Sequence, residues 1–184
     1  MSVLLALALL MNLQQNAPAA VPPPPDRTSA DCASPVYVVD SLICSDATLL
    51  RTESDLARLH AAGVVAPGPW IEDQRAWLSR RARCAFREDQ RGCVIKANAE
   101  RLLVLAPAPG GMTSRTVQCP AADGANRLSL DVGRDGVIVH DADGRRIFAA
   151  AAAASDWTPF VQIVSSRRLE FRRQDGAVLR CQPV

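Results

Sequence analysis

The chain has 184 residues, which is enough for one ordinary domain or for two small ones once an export segment is removed. Its formal net charge is +2 and its pI is near 8.3. The cationic side chains form no lysine-rich run and are not interleaved with aromatic residues, so the composition argues against a nucleic-acid partner.

The first 19 residues have the features of a signal peptide. The apolar stretch from Val3 to Leu13 has the length of a signal-peptide core, and Ala17 and Ala19 are small residues of the kind that a signal peptidase reads. We therefore expect a mature start near Ala20 and a periplasmic or secreted protein. Eleven apolar residues cannot span a bilayer, and no cysteine stands at the cleavage position, so we expect no stable membrane anchor. A Pro-rich spacer is predicted over residues 20–30.

Six cysteines follow the expected cleavage site: Cys32, Cys44, Cys84, Cys93, Cys119 and Cys181. An even number of cysteines in an exported chain is typical of a disulfide framework. Zinc sites need close pairs such as C-x-x-C, whereas the successive spacings here are 12, 40, 9, 26 and 62, so we expect no metal. Of the fifteen pairings that six cysteines allow, short loops and separate halves favour Cys32 with Cys44, Cys84 with Cys93, and Cys119 with Cys181.

Residues 31–105 are predicted to form a small helical domain, in which Ser45 is the candidate N-cap of the first helix. The apolar positions Leu49, Leu56 and Leu59 recur at helical spacing, and Gly63 ends the pattern.

Two further helices complete this predicted domain. The second follows residue 69 and has an apolar face formed by Trp70, Ile71, Gln74, Trp77 and Leu78. The rest of the surface of this second helix is predicted to carry the charged residues Glu72, Asp73, Arg75 and Arg80. The third carries a stripe formed by Val94, Ile95, Asn98, Leu102 and Leu105. Three such stripes fit an antiparallel bundle, and the small core of about 75 residues should benefit from cross-links.

A Pro- and Gly-rich linker over residues 106–114 separates the helical half from a β domain predicted over 115–184. Apolar and polar residues alternate in three runs of this second half, at 128–132, 137–139 and 169–171. The alternation predicts strands with one buried face.

Three Asp-Gly dipeptides, at 135–136, 143–144 and 175–176, are typical of hairpin turns because glycine accepts a positive φ. A meandering antiparallel sheet or small barrel is expected, closed by a bond between Cys119 and Cys181 that the loop-entropy model values at about 4 kcal/mol. The predicted fold class is α+β in two domains, a small disulfide-linked helical bundle followed by a small antiparallel β-barrel.

Catalytic motifs are missing from the sequence. His60 and His140 fall in different predicted domains, and there is no G-x-S-x-G elbow, P-loop or dinucleotide fingerprint. The acid pairs Asp141 with Asp143 and Glu88 with Asp89 stand in turn-like segments, where solvated carboxylates are common. We therefore expect a binding protein that is not an enzyme and needs no cofactor.

The helical half resembles a known family. The pattern D-C-x11-C-S-D at Asp31 to Asp46, the run E-D-Q-R-A-W-L-S-R-R-A-R-C at Glu72 to Cys84 and a further cysteine at Cys93 resemble the N-terminal domain of LprI-type lysozyme inhibitors. The resemblance covers about 75 residues. The sequence departs from the family pattern in the turn at Ala61 to Gly68, which contains two glycines and a proline.

The β half is similar to the MliC-type inhibitors of c-type lysozyme, which are small antiparallel barrels. The similarity rests on V-Q-C at Val117 to Cys119, on alternating strands with acidic turns, and on L-R-C at Leu179 to Cys181. Members of that family insert a serine from an S-G-x-x-Y motif and a lysine from an F-W-x-K-G segment into the lysozyme cleft. Here Ser155-Asp156-Trp157 and Ser165-Ser166-Arg167 stand in those places, with Asp156 replacing the glycine and arginine replacing the lysine.

These resemblances imply a partner-binding site formed by Ser155, Asp156, Trp157, Arg167 and Arg168. Ser155 would offer a hydroxyl to the catalytic carboxylates of the enzyme, and Arg167 or Arg168 would pair with one of them through a charge-assisted fork. The alternative is that Ser155 is an ordinary loop residue and that the arginines coat the solvent face of a strand.

The sequence therefore predicts an envelope lysozyme inhibitor that blocks a muramidase cleft with a loop of its β domain. We expect a c-type lysozyme as the partner and a monomeric inhibitor. The alternative function is a periplasmic interaction module that uses the same scaffold without inhibiting lysozyme, and the altered serine and lysine motifs favour it.

Overall fold

A computed structural model describes residues 27–63, 65, 68–108, 110–120, 127–152, 157–165 and 167–184. Over these residues the protein is a helical bundle joined to an eight-stranded, nearly closed β-barrel, so the predicted α+β fold class is confirmed. The signal peptide and most of the Pro-rich spacer lie outside the described residues and stay predictions.

Within the described residues, the helical half contains four α-helices and one short 3₁₀ helix. They are α1 (Val38–Ser45), α2 (Ala47–Ala61), α3 (Gln74–Ala82), the 3₁₀ helix (Arg83–Phe86) and α4 (Gln90–Leu105).

The cap of α2 differs from the prediction. Ser45 is the last residue of α1, and Asp46 caps α2 instead, because its extended backbone lets one carboxylate oxygen accept from the amides of Thr48 and Leu49 at 2.9 and 3.1 Å. Gly63 follows the end of α2 with a φ of 65°, as the sequence indicates. The predicted bundle of three helices therefore gains the short helix α1.

The three disulfides have the pairing that the sequence favoured. Cys32–Cys44 ties the N-terminal segment to α1, and Cys84–Cys93 ties the 3₁₀ helix to α4. Cys119–Cys181 joins the residue after the first strand to the last strand region. All six cysteines are thus engaged in bonds within one half or the other.

The barrel is built from eight strands, which pair in the order β7-β6-β5-β4-β3-β2-β1-β8. They are β1 (Thr113–Gln118), β2 (Arg127–Val132), β3 (Gly136–His140), β4 (Arg146–Ala151), β5 (Val161–Ser165), β6 (Glu170–Arg173), β7 (Val178–Arg180) and β8 (Gln182–Pro183). Because β7 and β8 are separated by Cys181 alone and pair with β6 and β1 at opposite ends of this order, the last strand region closes the sheet.

Two of the three Asp-Gly turns have the predicted conformation, with φ of 77° at Gly144 and 91° at Gly176. Gly136 has no positive φ and opens β3 instead. A Cβ atom at Gly136 would overlap the side chain of Leu103 and the carbonyl oxygen of Ala150. This glycine therefore permits the close approach of α4 to the barrel.

The pairing of β4 with β5 departs from a simple meander. All other neighbouring strands are antiparallel, whereas β4 and β5 share one parallel bridge between Ala151 and Gln162. The nine residues 152–160 between the strands are long enough for this connection, which a short hairpin could not make.

The helical and β halves share buried apolar clusters. Trp157, from the β half, packs with the Cys84–Cys93 region and with Val94. Ile138 and Ala149 of the barrel pack with helical residues that include Trp77. The two halves are therefore packed against each other in the structure, while their division into separate domains at 106–114 stays a prediction.

Arg146 fastens the barrel to the end of α4. It is 7% exposed, and its Nη1 donates to the carbonyl oxygens of Val104 and Ala106 at 2.6 Å each and of Leu103 at 3.2 Å. These carbonyls belong to the last turn of the helix or to the residue after it, where partners within the helix are lacking and a positive charge is favourable. Burial lowers the pKa of Arg146 below its usual range.

We expect Arg146→Met to lower the free energy of unfolding by about 3 kcal/mol, because it leaves buried helix carbonyls without a charged donor. The matched control is Arg145→Met, which removes an exposed arginine paired with Asp141 and Asp143 and should cost less than about 1 kcal/mol. Denaturant unfolding of the two variants measures the difference, and equal stabilities would contradict this role of Arg146.

Candidate partner-binding site

The predicted site residues lie on two neighbouring connections of the barrel. Ser155 and Asp156 belong to the connection between β4 and β5 and fall outside the described residues, so their contacts stay predictions. Trp157 directly follows Asp156 in the same connection, and Arg167 and Arg168 lie in the turn between β5 and β6. Gln162, the second residue of β5, pairs with Ala151 at the end of β4, so the described part of the first connection leads into the start of β5 and the arginine turn follows its end.

Trp157 is buried, with 6% of its surface exposed. Its indole Nε1 donates to Glu100 Oε2 at 2.6 Å, and the guanidinium of Arg80 lies 4.3 Å from its ring centroid. The backbone amide of Phe160 donates to the other oxygen of Glu100, also at 2.6 Å. Trp157 thus anchors the predicted binding segment Ser155–Trp157 on α4 at its last residue. The Trp157 side chain is buried and is therefore not available to a partner.

Glu100 belongs to a buried charge network. Arg80 donates to both carboxylate oxygens of Glu72, at 2.8 and 2.5 Å, to Glu100 at 2.9 Å and to the carbonyl oxygen of Thr158 at 2.8 Å. One guanidinium therefore binds two carboxylates of the helical half and the backbone of the β half. Burial raises the pKa of Glu100 above its usual 4.5, while Arg80, the amide of Phe160 and the indole of Trp157 act to lower it.

A second buried group of arginines stabilises the helical half. Arg81 pairs with both oxygens of Glu53, and its guanidinium lies 4.4 Å from the ring centroid of Trp77. Arg101 donates to Gln74 Oε1 and to the carbonyl oxygen of Glu72. Burial lowers the pKa of Arg101 to about 10.

The sequence does not predict these buried charges, and its pattern places Glu72 and Arg80 on the solvent side of the second predicted helix; Glu72 instead precedes α3, and both residues are buried. One signal was available: Arg80 and Arg81 stand three and four residues after Trp77, and these spacings place side chains on the same helix face. The partners Glu53 and Glu100 are too distant in sequence for a periodicity argument to find.

Arg167 and Arg168 are exposed. No ion pair involves either guanidinium within the described parts of the chain. The amide of Arg168 donates to Ser165 Oγ at 3.2 Å, and the next residue, Leu169, has a φ of 48° and is only 2% exposed. A buried leucine in the left-handed region holds the turn in place, so the two arginines project from a fixed base and can receive an anionic group.

One cluster combines residue types that hydrolases use, but its geometry does not resemble a catalytic triad. Asp131 accepts from Ser114 Oγ and lies 3.1 Å from His140 Nε2, so the carboxylate stands between the hydroxyl and the imidazole. In a triad the imidazole takes that middle position. The acids Asp141 and Asp143 pair with Arg145 in an exposed turn.

Neither a metal cluster nor a membrane span is found in the described parts of the chain. Within them no three His, Cys, Asp or Glu side chains are grouped to hold an ion. No helix there is long and apolar enough to cross a bilayer.

Comparison with known proteins finds similarity to mycobacterial lipoproteins. The chain is 30% identical over 127 residues to lipoprotein LprI of Mycobacterium tuberculosis, in two strains, and of Mycobacterium bovis. The alignment covers 66% of this chain and 64% of each relative. No family model matches the chain. No solved structure matches it either.

We expect Trp157→Phe to lower the free energy of unfolding by about 2 kcal/mol more than Trp77→Phe does. Both changes replace a buried indole by the smaller phenyl ring, but only Trp157→Phe removes a hydrogen bond from the indole to a buried carboxylate. Trp77 Nε1 has no hydrogen-bond partner among the residues that the structure describes. Denaturant unfolding compares the two variants, and a smaller loss for Trp157→Phe would contradict the anchoring role.

Proposed function

We propose that the protein is an LprI-type lysozyme inhibitor of the bacterial envelope, which binds a muramidase and blocks its active-site cleft. The observation that carries the proposal is the 30% identity to LprI over 127 residues, to which the exposed Arg167 and Arg168, with no ion pair in the described parts of the chain, add a candidate contact for a carboxylate. The similarity to LprI and the resemblance of the β half to MliC-type inhibitors support the choice of a lysozyme as partner.

The chemistry of a glycosidase cleft suits such a site. The cleft holds two carboxyl groups separated by about 5 to 9.5 Å. In the proposed complex the hydroxyl of Ser155 would bind one of these carboxyl groups and the guanidinium of Arg167 or Arg168 the other. Hydrogen bonds from a guanidinium to a carboxylate are stronger than neutral ones, so short contacts can give useful affinity.

The anchored ends of the two connections reduce the cost of binding. Trp157 and Phe160 are fixed on Glu100, and Leu169 is buried beneath the arginine turn. Surfaces that are already ordered lose less conformational entropy when they dock. Because a bound inhibitor must occupy the cleft without reacting, a rigid arrangement also fits a non-catalytic role.

Net charge contributes little to this recognition. From Arg115 onwards the β half carries ten arginines against eight acids, and lysozymes of the c-type are generally cationic. Long-range steering between the two proteins would therefore be weak. The affinity should depend on short-range contacts in the cleft, and this favours a loop that enters it.

The test is a turbidity assay of bacterial cell-wall lysis by c-type, g-type and i-type lysozymes with the mature protein present. We expect inhibition of the c-type enzyme, with the inhibition constant raised about tenfold or more by Ser155→Ala, Arg167→Ala or Arg168→Ala, since each loses a hydrogen bond to a carboxylate. Arg115→Ala, an exposed arginine on β1, is the matched control and should inhibit like the unaltered protein.

Asp156 at the family's glycine position favours a second candidate function, an envelope interaction module that does not inhibit lysozyme. Absence of inhibition of all three enzyme classes at micromolar protein, together with recovery of another complex from periplasmic extract, would replace the first proposal by this one.

A further inference from the structure

A small cavity lies at the junction of the two halves, next to the predicted binding segment. It has a volume of about 90 Å³. The helical half lines it with Arg80, Arg83 and Arg87, and the β half with Trp157, Thr158 and Gln174. Since Trp157 and Thr158 directly follow Ser155 and Asp156 in the chain, the cavity adjoins the connection to which we assign the contact with the muramidase.

The three arginines differ in their charge partners. Arg80 forms the inner wall and is compensated by Glu72 and Glu100. Arg83 and Arg87 are exposed, and no carboxylate lies within 4.0 Å of either guanidinium among the residues that the structure describes. The rim of the cavity therefore carries two uncompensated positive charges, each with five N–H donors.

The backbone that carries the two rim arginines is held in place. Arg83 begins the 3₁₀ helix and stands next to Cys84, which is bonded to Cys93 at the cavity wall. The amide of Arg87 donates to the carbonyl oxygen of Cys84 at 3.1 Å. The Gln90 side chain donates to the carbonyl oxygen of Ala85 at 2.8 Å. Fixed backbone positions make the two forks better organised for a ligand than arginines on a free loop.

The opposite wall is polar and also fixed. The carbonyl oxygen of Thr158 accepts from Arg80 at 2.8 Å and from Gln174 Nε2 at 3.0 Å. The cavity of about 90 Å³ has arginine, threonine and glutamine in its lining, and a space of this polarity can hold a compact charged group. Arg83 and Arg87 both line this cavity, and a guanidinium group matches the planar shape of a carboxylate.

From this arrangement we infer that Arg83 and Arg87 form a carboxylate-binding pocket, which in the complex receives an aspartate or glutamate side chain of the bound muramidase. The inference rests on the proposed function and gives the helical half a direct part in binding. The proposed complex then has two contact regions, one formed by the predicted site residues of the β half and one on the 3₁₀ helix.

The inference is tested by measuring, by titration calorimetry, how tightly the double variant Arg83→Met/Arg87→Met binds c-type lysozyme. We expect its dissociation constant to rise about 10- to 100-fold, as for the loss of one or two charge-assisted hydrogen bonds. The matched control, Arg115→Met/Arg127→Met, removes two exposed barrel arginines and the same net charge and should change the constant by less than about threefold. Arg83→Lys/Arg87→Lys, which keeps the charge without the forks, should lie between them.

A second measurement does not depend on lysozyme. Sodium acetate is titrated into the full chain while the indole N–H signal of Trp157 is followed by NMR, and N-acetylmuramic acid is titrated in parallel. Acetate should shift the Trp157 signal in the unaltered protein and in Arg115→Met/Arg127→Met, but not in Arg83→Met/Arg87→Met. The spectrum of each variant also shows whether it is folded.

The outcomes separate the two proposals. Failure of the unaltered protein to bind any lysozyme would overturn the proposed function and with it the assignment of the ligand to a muramidase, whereas an acetate shift would still support a carboxylate pocket. Unchanged lysozyme binding by Arg83→Met/Arg87→Met would overturn the inference while the proposed function stands. A shift by N-acetylmuramic acid much stronger than that by acetate, with unchanged lysozyme binding, would replace the protein ligand by a glycan.

Discussion

The contact on which the arrangement of the two halves depends most is the one between Glu100 and the β half. Its carboxylate on α4 accepts from the indole of Trp157 and the amide of Phe160, and it shares Arg80 with Glu72. A buried carboxylate is costly unless hydrogen bonds and an opposite charge satisfy it. Since those partners come from both halves, neither half can satisfy the group alone, and the network specifies how they pack.

The buried charges have different roles along the interface. Arg146 binds the carbonyl groups at the end of α4, whereas Arg80 binds two carboxylates of the helical half and the carbonyl oxygen of Thr158. The buried apolar cluster that contains Trp77 and Ile138 adds apolar contact area between the two halves. Directional contacts at several points fix the orientation of a small barrel better than apolar area alone, because hydrogen bonds require particular distances and angles.

Local patterns in the sequence predicted the parts of the structure that depend on local physics. The alternation of apolar and polar residues predicted the strands around Leu130 and Phe171. The Asp-Gly dipeptides predicted the turns at Gly144 and Gly176, where glycine accepts a positive φ. Loop economy identified the cysteine pairing. The buried ion pairs could not be found in this way, because hydropathy assigns arginine and glutamate to the surface and because Glu100 and Trp157 are 57 residues apart. The role of Gly136 was missed for the same reason, since Leu103 approaches it from another element.

The bond between Cys84 and Cys93 makes the arginine rim dependent on the redox state of the chain. The 3₁₀ helix has only four residues, which is too short to persist without outside support. With both thiols reduced, the link from this helix to α4 is lost and the guanidinium groups beside it are free to separate. A reduced chain would thus lack an organised rim, and formation of the bond in an oxidising compartment would complete it. For the proposed function, coupling of this kind would restrict recognition of the partner to oxidising surroundings.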